Sequence, residues 1–166
     1  KEPGLGAARR RPMCSLMRRV LTYLVFIAGG VALGVLSGLS NMPGEWYQSL
    51  DKPFFNPPSW LFGPVWTILY VLIGIAGARV WLKAPASAAM QIWFAQIALN
   101  MLWSPTFFGL QAPGLAFLVI IGLLVTIVGF IWQAGPIDRV ARLLFFPYLA
   151  WVGFATLLNA SIFLMN

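Results

Sequence analysis

The chain has 166 residues, 60% of them hydrophobic and 9% charged, with a mean hydropathy of +0.84. Soluble domains are about 45–50% apolar and about 25% charged, and a chain this short keeps much of itself at the surface, so a water-soluble globule, a disordered chain and a disulfide scaffold are excluded and lipid is the solvent. The net charge of +7 does not mark a nucleic-acid protein, because the cations stand at the edges of apolar runs and form no basic groove.

Residues 1–19 carry six of the eleven Lys and Arg, at Lys1, Arg9, Arg10, Arg11, Arg18 and Arg19. They read as a basic, disordered N-terminal extension with a lone Cys14, which leaves no intrachain disulfide. The chain has no His, which removes the commonest general base and the commonest zinc ligand, and no metal site is expected. No Gly-rich phosphate loop is present either.

Charged residues are missing from 20–44, 53–78, 84–137 and 143–166. A membrane-crossing helix needs roughly 20 apolar residues. The first gap predicts a span at 20–40, too long an apolar run for a signal-peptide core. The second predicts 60–81. The third must be a hairpin broken at Gln111-Ala112-Pro113-Gly114, with spans at 88–109 and 114–133. The last predicts 141–163. The fold class expected is an all-α membrane protein, a five-helix transmembrane bundle over 20–166 with a long structured first loop.

With five spans, the N-terminal cations share one side with Arg79, Lys83, Arg139 and Arg142, and the opposite side holds Lys52 alone. The positive-inside rule then places the N-terminus inside and the C-terminus outside. No ionisable residue lies mid-span, which argues against an ion-coupled pump or a charge-ring channel.

The external connection, 41–59, is too long for a simple turn. Residues 45–50 can form a short helix with Trp46, Tyr47 and Leu50 on one side, and Pro53, Pro57 and Pro58 stiffen the remainder of the loop. The segment, with Lys52 inside it, reads as a lid over the bundle or as an interfacial aromatic belt. In the third span Gln96, Asn100, Trp103 and Phe107 share a face, and in the fifth Tyr148, Trp151, Ala155 and Asn159 do so. The second span adds Trp60, Trp66 and Tyr70. These faces are either interhelical glue or the walls of a cavity for a large, flat, mostly apolar ligand. Gly30, Gly34 and Gly38 make a small-residue face for close packing, within the chain or between subunits.

Four ordered blocks then stand out. They are Trp46-Tyr47-x-x-Leu50-x-Lys52-Pro53; Pro57-Pro58-x-x-x-Phe62-x-Pro64-x-Trp66-x-x-x-Tyr70; Gln96-x-x-x-Asn100-x-x-Trp103-x-Pro105-x-Phe107-Phe108-Gly109; and Pro147-Tyr148-Leu149-Ala150-Trp151-x-x-Phe154-Ala155-x-x-Leu158-Asn159. In these the chain resembles the translocator protein family, also known as the tryptophan-rich sensory protein (TspO/MBR) or peripheral-type benzodiazepine receptor family. The resemblance implies a membrane protein, commonly a homodimer, that binds porphyrins or related tetrapyrroles and isoquinoline or benzodiazepine-type ligands under the first loop. It implies a transporter or sensor that needs no cofactor and takes porphyrin as ligand. By motif position the ligand-binding residues would be Tyr47, Trp60, Asn100, Trp103, Trp151 and Ala155, with Trp46, Leu50, Lys52, Pro53, Pro57 and Pro58 in the lid. Trp60 and Trp151 correspond to tryptophans implicated in light-dependent porphyrin breakdown, so the alternative is a porphyrin-degrading enzyme with these two as its catalytic candidates.

One departure is informative. The cholesterol motif of the mammalian members has a Tyr after the Asn and an Arg four residues further on, whereas here Ala160 follows Asn159 and Leu164 takes the Arg position. That argues against tight cholesterol binding. It also favours a bacterial cell membrane over the mitochondrial outer membrane.

Overall fold

A computed structural model describes residues 11–40 and 44–166. Every element among them is helical: α1 (Arg11–Ser40), α2 (Glu45–Ser49), α3 (Ser59–Lys83), α4 (Ala88–Ser104), a π-helical turn (Pro105–Gly109), α5 (Pro113–Ala134), α6 (Arg139–Leu144) and α7 (Phe146–Met165). Among the described residues four stretches are long and apolar enough to cross a membrane: Ser15–Ser40, Ser59–Lys83, Pro113–Ala134 and Arg139–Met165. The protein is therefore an integral membrane protein built from helices. The run expected at 88–109 divides into the 17 residues of α4 and the π-helical turn.

The boundaries shift for identifiable reasons. α1 is already helical at Arg11, so residues 11–19 of the expected disordered extension are helix, and 1–10 lie outside the described residues. The final run breaks at Phe145, because Pro147 has no N–H to donate to the carbonyl four residues back. The hairpin break falls at 110–112, with Gln111 in the left-handed region at φ 53° and Pro113 at the first turn of α5, where a missing N–H costs nothing.

α1 packs along α3, α4 along α5, and α5 along α7. The α1–α3 contact rests on glycines. A methyl group on Gly74 would stand 2.7 Å from Ile27 Cα and 2.8 Å from the Phe26 carbonyl oxygen. A methyl group on Gly30 would stand 3.3 Å from the Tyr70 carbonyl oxygen, and Gly34 lies against the Tyr70 ring. The small-residue stripe of α1 thus packs within the chain at Gly30 and Gly34, while Gly38 meets nothing within 4 Å. Across the α4–α5 contact, Gly122 and Gly129 receive Leu99 and Ile92. The core is apolar and aromatic, with Phe130 stacked on Phe145 at 3.9 Å, and the apolar faces of α1 and α5 left outward suit lipid.

At the α3 C-terminus, Asp138 caps α6 by accepting from the Ala141 N–H at 2.8 Å. It also pairs with Arg79 Nε at 2.9 Å and Lys83 Nζ at 2.7 Å. Burial alone would raise this carboxyl, but the hydrogen bonds from Arg79, Lys83 and Ala141 outweigh it and hold it well below the usual carboxylate range. A folded-state value below the unfolded one means stability that is complete above about pH 4 and lost as pH falls through the depressed value. Asp138→Asn should therefore destabilise the protein by about 2 kcal/mol at neutral pH, through a weakened cap and two unpaired cations. The difference from the parent should shrink in thermal melts taken below pH 4; a constant difference down to pH 2 would show that charge plays no part.

Candidate functional site: an aromatic cavity between α1, α3, α4 and α7

Helical periodicity brings one face of each of four helices to a common cavity of about 580 Å³. This falls within the usual range for a small-molecule site. α3 contributes Ser59, Phe62, Gly63, Trp66, Thr67 and Tyr70, spaced at three and four. α4 contributes Asn100, Trp103 and Ser104, and the π-helical turn adds Phe107 and Phe108. α7 contributes Trp151, Ala155, Leu158, Asn159 and Ile162. α1 closes the wall from Val31 to Leu39, with Gly34 and Gly38 toward the space.

The roof is segment 44–58. Its short helix, expected at 45–50, is α2, which ends at Ser49. Trp46 and Tyr47 meet Phe107 edge-on at 5.9 and 6.2 Å, and Tyr47 meets Phe108 at 5.4 Å. Leu50 and Phe55 pack with them on Phe107, Leu158 and Ile162. The Tyr47 hydroxyl donates to Asn56 Oδ1 at 3.3 Å. Asn166, at the end of α7, holds the segment: its Oδ1 accepts from the Asp51 N–H at 3.0 Å and its Nδ2 donates to the Asp51 carbonyl at 3.1 Å. The π-helical turn is what aims Phe107 and Phe108. Pro105 has no N–H to donate to the Met101 carbonyl, so the helix is interrupted there, and the turn that follows closes with a five-residue bond from the Leu110 N–H to the Pro105 carbonyl at 2.9 Å.

A polar relay crosses the wall behind these rings. Tyr70 donates to Asn100 Oδ1 at 2.6 Å, Asn100 Nδ2 donates to the Tyr148 hydroxyl at 2.7 Å, and Tyr148 donates to Gln96 Oε1 at 2.9 Å. A second link runs from Trp103 Nε1 to Asn159 Oδ1 at 3.0 Å, and Asn159 Nδ2 donates to the Pro113 carbonyl at 2.8 Å. Buried amides in an apolar surround need such partners. Among the described residues, Gln96 Nε2 and Trp151 Nε1 are buried without one.

Of the six ligand-binding residues expected from sequence, Tyr47, Asn100, Trp103, Trp151 and Ala155 meet in this cavity. Trp60 does not: it is 72% exposed on the outer side of α3. The cavity-facing series on α3 is 59, 62, 63, 66, 67 and 70, and Trp60, in the first turn at the edge of that series, carries its side chain to the exposed side. Trp66, on that series, is the tryptophan of α3 that faces the space. The two faces predicted from sequence are each split. Asn100, Trp103 and Phe107 line the cavity while Gln96 stands behind them; Trp151, Ala155 and Asn159 line it while Tyr148 is fully buried in the wall. The small-residue stripe of α1 predicts packing and not a cavity wall. The signal for the wall is Ser37 and Gly38, small residues continuing the stripe beyond the helix contact.

Residues 22–165 match the model of the TspO/MBR family. The chain belongs to the TspO/MBR family. It is 39% identical over 154 residues to the Tryptophan-rich protein TspO of Archaeoglobus fulgidus, covering 92% of this chain and 99% of that one. It is 36% identical over 144 residues to the Tryptophan-rich sensory protein of Cereibacter sphaeroides, covering 87% and 90%. With the Translocator protein of Homo sapiens it shares 36% over 146 residues, 81% of this chain and 85% of the human one. The family match spans every element that lines the cavity.

Proposed function

We propose that this TspO/MBR-family protein binds a planar tetrapyrrole in the cavity and serves the membrane as a transporter or sensor of it. The observation that carries the reading is the wall itself: Trp66, Trp103, Phe107 and Trp151 around about 580 Å³, with Asn100 and Asn159 as sparse polar contacts. Flat rings in such a wall match a flat apolar ligand, and the amides meet its few polar atoms. On this reading α4 with its π-helical turn is the fifth crossing, the N-terminus is inside and the C-terminus outside, in a bacterial cell membrane. Reporter fusions at both ends read that topology. Purified protein should quench or be quenched by metal-free protoporphyrin with micromolar affinity, about −8 kcal/mol. Much tighter binding of haem would point to an axial ligand and sink the account.

Light-driven porphyrin breakdown is the second reading, and the unpartnered Trp151 indole at the cavity favours it. Phe at 151 keeps most of the apolar contact and removes the oxidisable indole. Trp151→Phe should weaken dark binding by no more than about 1.5 kcal/mol while bleaching of bound porphyrin under constant light slows much further. Trp60→Phe, on the outer face, should match the parent in both. Unchanged bleaching in Trp151→Phe would leave the binding reading alone.

A further inference from the structure

The cavity is lined by uncharged residues, and its roof carries one cation. Lys52 holds its ammonium 4.9 Å from the centroid of the Tyr47 ring, and Tyr47 lines the cavity. Two of the three Nζ donors are spent on the Gln48 and Leu50 carbonyls, at 3.1 and 3.0 Å. These bonds fix the ammonium above the ring and leave it one donor. The roof also carries Glu45 and Asp51, but the ion pairs among the described residues are Arg79–Asp138 and Lys83–Asp138, at the other end of α3. Among the described residues, Lys52 thus has no carboxylate within ion-pairing distance, and every other described Lys or Arg lies at the opposite end of the bundle or on the N-terminal turns of α1.

An oriented cation at the edge of an aromatic cavity has a chemical meaning. An apolar plate alone fits such walls in either direction. A plate with a carboxylate on one edge fits in one direction, its acid at the roof and its apolar edge inward, because a buried unpaired carboxylate is costly. We propose that the Lys52 ammonium above Tyr47 is the anchor for the carboxylate of an amphipathic planar ligand, and that it gives the cavity its preference for acids over their neutral esters. The inference rests on the tetrapyrrole reading above and narrows it to tetrapyrroles with free acid side chains.

Protoporphyrin and its dimethyl ester share the ring and differ in charge, so they test the anchor directly. Binding of both is measured in the dark, by tryptophan quenching, in the same detergent for the parent, Lys52→Gln and Lys52→Arg. The parent should favour the acid on the order of tenfold, the worth of one hydrogen bond between charged groups. Lys52→Gln should lose that preference by weakening the acid and sparing the ester, and Lys52→Arg should restore it. Added salt should narrow the gap in the parent and leave Lys52→Gln unchanged. Equal affinities in the parent, or a full acid preference kept in Lys52→Gln, overturn the anchor and leave the tetrapyrrole reading standing. Failure of both porphyrins to bind the parent removes that reading, and the anchor with it.

Discussion

Gly74→Ala should lower stability by about 3 kcal/mol, while Gly29→Ala should leave it unchanged or raise it slightly. The two substitutions add the same methyl group. At Gly74 it would meet the backbone of α1, 2.7 Å from Ile27 Cα, and backbone cannot turn aside as a side chain can. The helices must separate, which loses the contact that holds α1 on α3, at the upper end of the usual cost of overpacking. At Gly29 a methyl meets nothing within 4 Å, and Ala is the better helix former by up to about 1 kcal/mol. Melting of both variants in one detergent measures the contrast. A Gly74→Ala protein as stable as Gly29→Ala would mean that α1 does not sit on α3 as described.

Asn100→Leu should cost about 2 kcal/mol and, on the tetrapyrrole proposal, weaken porphyrin binding as well. Asn100 joins the hydroxyls of Tyr70 and Tyr148 across three helices and also faces the cavity. Leucine strands the Tyr70 hydroxyl, while Tyr148 keeps its bond to Gln96. Polar bonds between membrane helices are individually modest, at most about 1.7 kcal/mol, so the loss should not run to full unfolding. Tyr148→Phe should share the stability cost but spare the affinity, since Tyr148 stands wholly inside the wall. The double variant should lose about 1 kcal/mol less than the sum of the singles if the relay acts as a unit. Strict additivity would show two independent contacts instead.

How far these features are legible from residues alone depends on their physical range. Charge spacing places the helices because the cost of burying a charge in lipid acts on each residue by itself. The breaks at Pro113 and Pro147 come from the missing N–H, though the second lies inside an apolar run that reads as one continuous helix. Most residues that meet in the cavity are legible, since Asn100, Trp103, Trp151 and Ala155 repeat at helical spacing. Motif position puts Trp60 among them, but it stands in the first turn of α3 at the edge of the lining face, and its side chain is exposed outside the cavity. Gln96 and Tyr148 share faces with cavity residues, yet the depth at which each helix packs sets them behind the rings. That depth depends on partners distant in sequence, as does the turn of Gly38 toward the cavity.

The two hydrogen bonds between Asp51 and Asn166 bridge 115 residues. This separation has a consequence for assembly during synthesis. A chain made from its N-terminus has α1 and α3, whose glycine contact is comparatively local, well before it has α7. The α4–α5 hairpin can also close on its own short turn. Contacts between remote residues form late, because closing a longer loop costs more entropy. The cavity roof therefore acquires its last tether only when the final helix is in place. Up to that point the nascent bundle has the walls from α1, α3 and α4 alone, and the arrival of α7 adds the last wall and fastens the cover in one step.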